Sequence, residues 1–384
     1  MLLMRHSDEA ARVGRGSTMG VVSEVAAGAT AHMKTTKIHP ALEPFPNCPA
    51  LDGCHCVTNS LAKIFHHAGH PLSEEMLLGL GAGMGFIYWQ MKMGAGTYIF
   101  VGGRENGKNF YKDLGARTGV VIREICTSSA AKAEAALLQE LARKEPVMLG
   151  GDMGFLPWFH FPVEYHFGGH AFVVCGYDGN RTCLASDMDP RMAGLKKGFY
   201  APVTLEQLTK ARSSPYKPFP PKNLRMEFDF AGFRTPGSKE IAASIAQTVD
   251  AHLHPPIKNF GVAGLRHTAS QLLRWPAIFK DKDLRMNLFN LYVFIEIGGT
   301  GGGCFRPMYA RFLEEAARIA RKPALASAAE IFHQSGGKFT QIALLFKDAA
   351  KMKGIEEKVR SASQLFGEIA GLEEKACQLL KQGI

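Results

Sequence analysis

The chain has 384 residues, more than one ordinary domain. With 46% hydrophobic and 21% charged residues it falls in the globular range, which excludes wholesale disorder, and its mean hydropathy of -0.05 excludes an integral membrane protein. Lysine and arginine total 45 against 35 acidic residues, a net +10 that favours an acidic partner: nucleic acid, anionic lipid or acidic protein.

The most apolar run, Leu288 to Ile297, is interrupted by Asn290 and Glu296 and falls short of the roughly 18 to 20 residues a spanning helix needs. Residues 1–32 carry Arg5, Arg12 and Arg15, but the stretch from Val21 to Ala31 is broken by Ser23, Glu24 and Gly28, a poor secretion signal. We read 1–32 as a disordered extension, or as an over-long start before Met33. Eight cysteines in a chain with an ample core do not require a disulfide scaffold. Cys48, Cys54, His55 and Cys56 lack the spacing of a tetrahedral zinc site, so no metal is expected.

Pro40, Pro44, Pro46 and Pro49 keep residues 38–52 extended, and a helix should start directly after them. Val57, Leu61, Ile64, Phe65 and Ala68 form its apolar stripe and Gly69 ends it, which puts Cys56 in the first turn. A second helix is expected from Ser73 to Leu80, with Ser73 as N-cap, followed by a glycine run. Residues 129–143 read as a helix and 147–149 as a buried strand. His170 to Tyr177, the Asp178-Gly179 turn and Arg181 to Asp187 read as a hairpin. Further strands are expected near 198–204 and 226–230. From 238 to 382 the pattern is helical throughout. The layout is α+β followed by mostly α, with boundaries at 1–32, 33–236 and 237–384.

A cysteine at a helix N-terminus is placed to ionise, because free backbone N–H groups and the helix dipole stabilise the thiolate. Cys56 has that position, and Cys54 is the rival. A nucleophilic cysteine needs an imidazole and a group that orients it. His170 opens the hairpin and Asp187 closes it, which brings the two to the same end of the ladder. The Gly79, Gly81, Gly83, Gly85 run follows a helix rather than a strand, so a nucleotide loop is disfavoured against a close-packed or substrate-lining one. Phe86, Tyr88 and Trp89 beside it read either as core or as the lining of an acyl pocket. Arg306, after the Gly298 to Gly303 run, reads either as an anion binder or as a structural ion-pair partner. No helix-turn-helix, zinc-finger or RNP motif appears, so a nucleic-acid binder is the weakest class.

These residues carry a resemblance. Gly53 to Leu61, then LSEEMLLGLGAGMGFIYW, then HFGGHAFVVCGYDG and Asp187 resemble the N-terminal domain of the butirosin biosynthesis protein H family. GGTGGGCFRPMYARFLEEA, from Gly298 to Ala316, resembles the glycine-rich motif of that family's helical C-terminal domain, so the likeness spans roughly residues 38 to 380. It implies a papain-like cysteine protease/acyltransferase fold, with Cys56 as nucleophile, His170 as base and Asp187 as the orienting acid. It implies transfer of an acyl or aminoacyl group from an acyl carrier protein or coenzyme A thioester to a small-molecule amine. No cofactor is implied, phosphopantetheine entering only as part of the substrate. A cytoplasmic place in bacterial specialised metabolism follows from the resemblance alone.

One departure stands out. Papain-like enzymes carry an oxyanion-binding glutamine six residues before the cysteine, where this chain has Ala50. The expected donors are the Cys56 N–H and, second, Asn59 or a glycine amide such as Gly83 or Gly85. Arg306 is placed towards phosphopantetheine or the carrier's acidic face. The rival functions are a thioesterase, amidase or peptidase using the same three residues, and a non-catalytic carrier- or substrate-binding module.

Overall fold

A computed structural model describes residues 42–93, 96–104, 107–161, 165–188, 194–217 and 219–384. The expected extension over 1–32 lies outside them. The first helix, α1 (Cys56–His67), buries Leu61, Ile64 and Phe65, and Gly69 at φ +78° turns the chain out of it. In α2 (Glu74–Leu80) the Ser73 hydroxyl accepts from the Met76 N–H at 3.0 Å, the expected cap.

The glycine run does not stay a loop. It turns into an antiparallel hairpin, β1 (Met84–Met93) with β2 (Gly96–Arg104), which the sequence reading did not anticipate. Next come α3 (Phe110–Thr118), β3 (Val121–Ile125), α4 (Ala130–Ala142) and β4 (Val147–Gly151). They are followed by β5 (His170–Tyr177), β6 (Thr182–Met188), β7 (Gly198–Thr204), α5 (Leu205–Arg212) and β8 (Arg225–Asp229). The six strands from β3 onward form one antiparallel sheet in the order β3-β8-β4-β5-β6-β7. Both faces of β5 are covered, which explains its unbroken apolar run. Ala171, Val173 and Cys175 face α1, whereas Phe172 and Val174 join Leu137, Leu141 and Leu208 on the other side.

Beyond residue 237 the described elements are helical: α6 (Ser238–Leu253), α7 (Gly261–Leu272), a single turn Trp275–Ile278, α8 (Asp281–Tyr292) with a π-helical end, α9 (Arg306–Ala320), α10 (Pro323–Phe346) and α11 (Ile355–Gly383). None of the described helices is long and apolar enough to cross a membrane. Sheet and helices do not bury separate cores. Phe86, Tyr88, Ile99 and Val101 of the hairpin are packed among Leu265, Trp275, Phe339 and Phe366, and the Asn287 amide bonds Ile99 and Thr97 at 2.9 and 3.0 Å. Phe86 and Tyr88 are therefore core residues, and Trp89 is 41% exposed.

Arg306 is fully buried. Its Nε and Nη2 donate to Glu373 at 2.7 and 2.8 Å, its Nη1 donates to the Gly85 and Cys304 carbonyls, and its guanidinium lies over the Phe339 ring, 4.7 Å from the centroid. The anion-binding reading of Arg306 is thus replaced by the structural one, because its charge is spent inside the core. Glu373 also accepts from His252 Nε2 at 2.7 Å and from the Ser335 hydroxyl, so one carboxylate ties α6, α9, α10 and α11 together.

Candidate active site

The proline-rich approach delivers the chain to α1 with His55 as N-cap (φ −129°, ψ 128°) and Cys56 as the first helical residue. Because an α-helix leaves its first N–H groups without intrahelical acceptors, the Cys56 N–H is one such donor. Just upstream, the buried Glu74 carboxylate accepts from the N–H groups of Cys54 (2.7 Å) and His55 (3.2 Å) and from the Thr58 hydroxyl (2.8 Å). Burial outweighs these bonds and raises its pKa to about 7. Gly53 permits this turn, since a Cβ there would fall 2.2 Å from Asn59 Nδ2 and 2.6 Å from Glu74 Oε2.

His170, at the start of β5, reaches Cys56 from the sheet. Its Nε2 donates to Asp187 Oδ2 at 2.8 Å, and its ring interacts with the Cys56 thiol, with Nδ1 the nitrogen not taken by Asp187. The β5–β6 register, Val173 opposite Ser186, sets Asp187 diagonally across from His170 on the same face. Asp187 is buried and held by two further donors, the Trp158 indole (2.8 Å to Oδ2) and the Met188 N–H (2.7 Å to Oδ1). The Phe159 ring stands edge-on to His170 at 5.1 Å.

These contacts set the charges. Burial alone raises the Cys56 thiol, but the hydrogen bond and charge of His170 and the Ala171 N–H outweigh it, and the net shift is downward. Burial opposes a charged His170, yet Asp187 and Cys56 push it up to about 10. Both shifts move the pair towards thiolate and imidazolium. Cys54 is the opposite case: burial and the Glu74 charge push it up to about 11, and it sits among Leu78, Phe305 and Met308. Cys48 interacts instead with Cys175 on β5.

The sheet does not close the site alone. His55 Nε2 lies 2.7 Å from Arg104 Nη1, and its Nδ1 lies 2.8 Å from the Gly299 carbonyl. A guanidinium can only donate, so Nε2 accepts and Nδ1–H donates, a single tautomer. Burial and the Arg104 charge hold this ring well below the ordinary histidine value, so it stays neutral. Gly301, at φ +73°, presses on the next residue back: a Cβ there would lie 3.0 Å from Cys54 Cβ. The glycine loop of the helical region thus packs against the two residues that precede Cys56.

The remaining expected residues lie elsewhere in the local structure. Asn59 donates from Nδ2 to the Leu51 and Asp52 carbonyls, both at 3.2 Å, and so holds the preceding loop rather than facing a substrate. The Gly83 N–H is committed to Leu78 O at 2.9 Å. Gly85 is buried in β1 with its carbonyl on Arg306. Asn59 Nδ2 and the Gly83 N–H are therefore taken by other carbonyls rather than free for an oxyanion. Three residues that the sequence reading missed do border the site: Trp158 on Asp187, Arg104 on His55, and Tyr111, whose phenol senses the charges of both Arg104 and Cys56. A cleft of about 230 Å³ lined by Phe155, Phe159, Phe161, Tyr165, His166 and Tyr216 shares the Phe159 wall with His170. His166 has a carboxylate of its own, Asp152, at 2.9 Å, and lies flat under Tyr216 at 3.5 Å.

Residues 55–188 match the family model described as butirosin biosynthesis protein H, N-terminal, and residues 206–380 match a domain of unknown function, DUF4872. No curated protein matches the chain.

Proposed function

Because the chain belongs to the butirosin biosynthesis protein H-like family, we propose that it is a biosynthetic cysteine acyltransferase built on a papain-like plan. The observation that carries this reading is the half-buried Cys56 thiol on His170, whose other ring nitrogen holds Asp187 at 2.8 Å. In the proposed reaction the Cys56 thiolate attacks the carbonyl carbon of an acyl thioester. The bond to the carrier sulfur breaks, and His170 protonates the departing thiolate. An amine then attacks the Cys56 acyl-enzyme, His170 takes the amine proton, and the thiolate returns as the amide leaves. Asp187 fixes the ring and stabilises its cationic form, with no proton transferred to it.

The donor is an acyl carrier protein or coenzyme A thioester, whose phosphopantetheine enters with the substrate, and the acceptor is a small-molecule amine. The surplus basic charge suits an acidic carrier, with docking that weakens as salt rises. The aromatic cleft beside Phe159 supports an apolar or aromatic acyl group. We place the division between a papain-like part and a helical part at residues 236 and 237, with the glycine loop of the second part bonded to His55 of the first. A thioesterase would use the same residues with water as acceptor.

The test is intact-mass analysis after incubation with acyl-phosphopantetheine thioesters. A one-acyl adduct that persists in Cys54→Ala and disappears in Cys56→Ala establishes the acyl-enzyme. Its discharge by amines faster than by water assigns transfer over hydrolysis. No adduct across a broad thioester panel, with Cys56 inert to an alkylating probe at neutral pH, would overturn the reading.

A further inference from the structure

The acyl-transfer reading leaves one requirement unmet. Attack on a thioester places negative charge on the carbonyl oxygen, and the Cys56 N–H supplies a single donor where two are usual. Ala50 occupies the position of the usual glutamine, and Asn59 and Gly83 are committed to other carbonyls.

Arg104 ends β2 with its guanidinium at the mouth of α1, one residue from Cys56 through the 2.7 Å bond to His55 Nε2. Phe110 supports it from below, 4.5 Å from the guanidinium carbon to the ring centroid. Among the described residues its buried Nε has no partner and no carboxylate forms an ion pair with this cation. A buried, unmatched guanidinium N–H is costly to keep unless something arrives to use it. The position is also fixed from two sides. Gly103 allows close approach of the strand end to the glycine loop, where a Cβ would stand 2.3 Å from the Cys304 carbonyl. Gly299 locks His55 in the tautomer that accepts from Arg104.

Resting on the acyl-transfer reading, we propose that Arg104 is the second oxyanion donor, aimed by His55, whose ring is set by the Gly299 carbonyl of the glycine loop. The C-terminal region would then complete the catalytic centre rather than form a separate module.

The test compares two reactions of the same sulfur in the full chain. Acylation by a phosphopantetheine thioester develops an oxyanion, whereas alkylation by iodoacetamide does not. Arg104→Gly is expected to slow single-turnover acylation by about 10²–10³-fold. Alkylation at its plateau should change by less than about threefold, and millimolar methylguanidinium should restore acylation by about tenfold or more. Arg104→Lys keeps a cation without the planar fork and should show an intermediate loss, which retains the test if the glycine variant does not fold. Unchanged acylation, parallel loss of acylation and alkylation, or absence of rescue would each overturn the assignment while leaving the acyl-enzyme intact. A native chain that forms no Cys56 adduct would sink both readings.

Discussion

Two buried histidine–carboxylate pairs in this molecule have nearly the same separation, and the function proposed above gives them opposite uses. His170 meets Asp187 at 2.8 Å, and His252 meets Glu373 at 2.7 Å, with all four side chains almost wholly buried. The difference lies in what surrounds them. Around Glu373, Arg306 and Ser335 fill the remaining lone pairs, and the group joins four helices. Around His170 one ring nitrogen is left for a half-buried thiol at a helix start. Both histidines keep a second ring nitrogen off the carboxylate: that of His252, Nδ1, is buried with no partner among the described residues, whereas that of His170 has a thiol as its neighbour, the arrangement the proposed chemistry needs. His166 and Asp152 make a third such pair, with the His166 ring stacked on Tyr216.

Matched substitutions would break this comparison most directly. His170→Gln removes the proposed proton carrier and should lower acyl transfer by about 10²–10⁴-fold with little change in denaturation midpoint. Glu373→Gln leaves the buried Arg306 charge uncompensated and should cost about 3–5 kcal/mol in stability, read by urea unfolding, while folded molecules keep their acylation rate. Loss of activity per folded molecule in Glu373→Gln, or a large stability loss in His170→Gln, would erase the distinction.

The orienting carboxylate offers a finer test. Trp158→Phe keeps an aromatic ring but removes one of the donors on Asp187, a charge-assisted bond worth about 1.5–3 kcal/mol, and acylation should fall by roughly tenfold or more. Asp187→Asn should move the alkylation midpoint of Cys56 upward. Its carboxylate raises Cys56 directly, but the His170 hydrogen bond and charge that it sustains lower Cys56 by more. A pH series of iodoacetamide rates checks the sign, and a downward midpoint would contradict the thiolate–imidazolium pair.

Cys56, His170 and Asp187 were legible as neighbours because each depends on local signals. Prolines fix where α1 begins, and Asp178-Gly179 fixes the hairpin that brings 170 and 187 together. Arg306 was ambiguous because its exposure is decided by Glu373, 67 residues away in the chain. Arg104 was missed for the same kind of reason: its hairpin was read as a loop, and what holds it in place is Asn287 and the helical core. Local patterning specified which residues carry reactive groups, whereas long-range packing determined which donors surround them.

The glycine loop makes the weakest and most discriminating link between the two regions. Gly301 holds φ +73°, a conformation that costs an L-residue about 1–2 kcal/mol, and an added Cβ would crowd Cys54 at 3.0 Å and its sulfur at 3.3 Å. Gly301→Ala should therefore lower stability by about 1–2 kcal/mol in urea unfolding. If the loop serves only as a helix connection, that is the whole effect. If it aims His55 and Arg104, the displaced Gly299 carbonyl also loosens the proposed oxyanion donor, and acylation falls severalfold in fully folded protein while iodoacetamide alkylation holds. Equal loss in both reactions would instead place the disturbance at Cys56 itself, through the Cys54 backbone that precedes it.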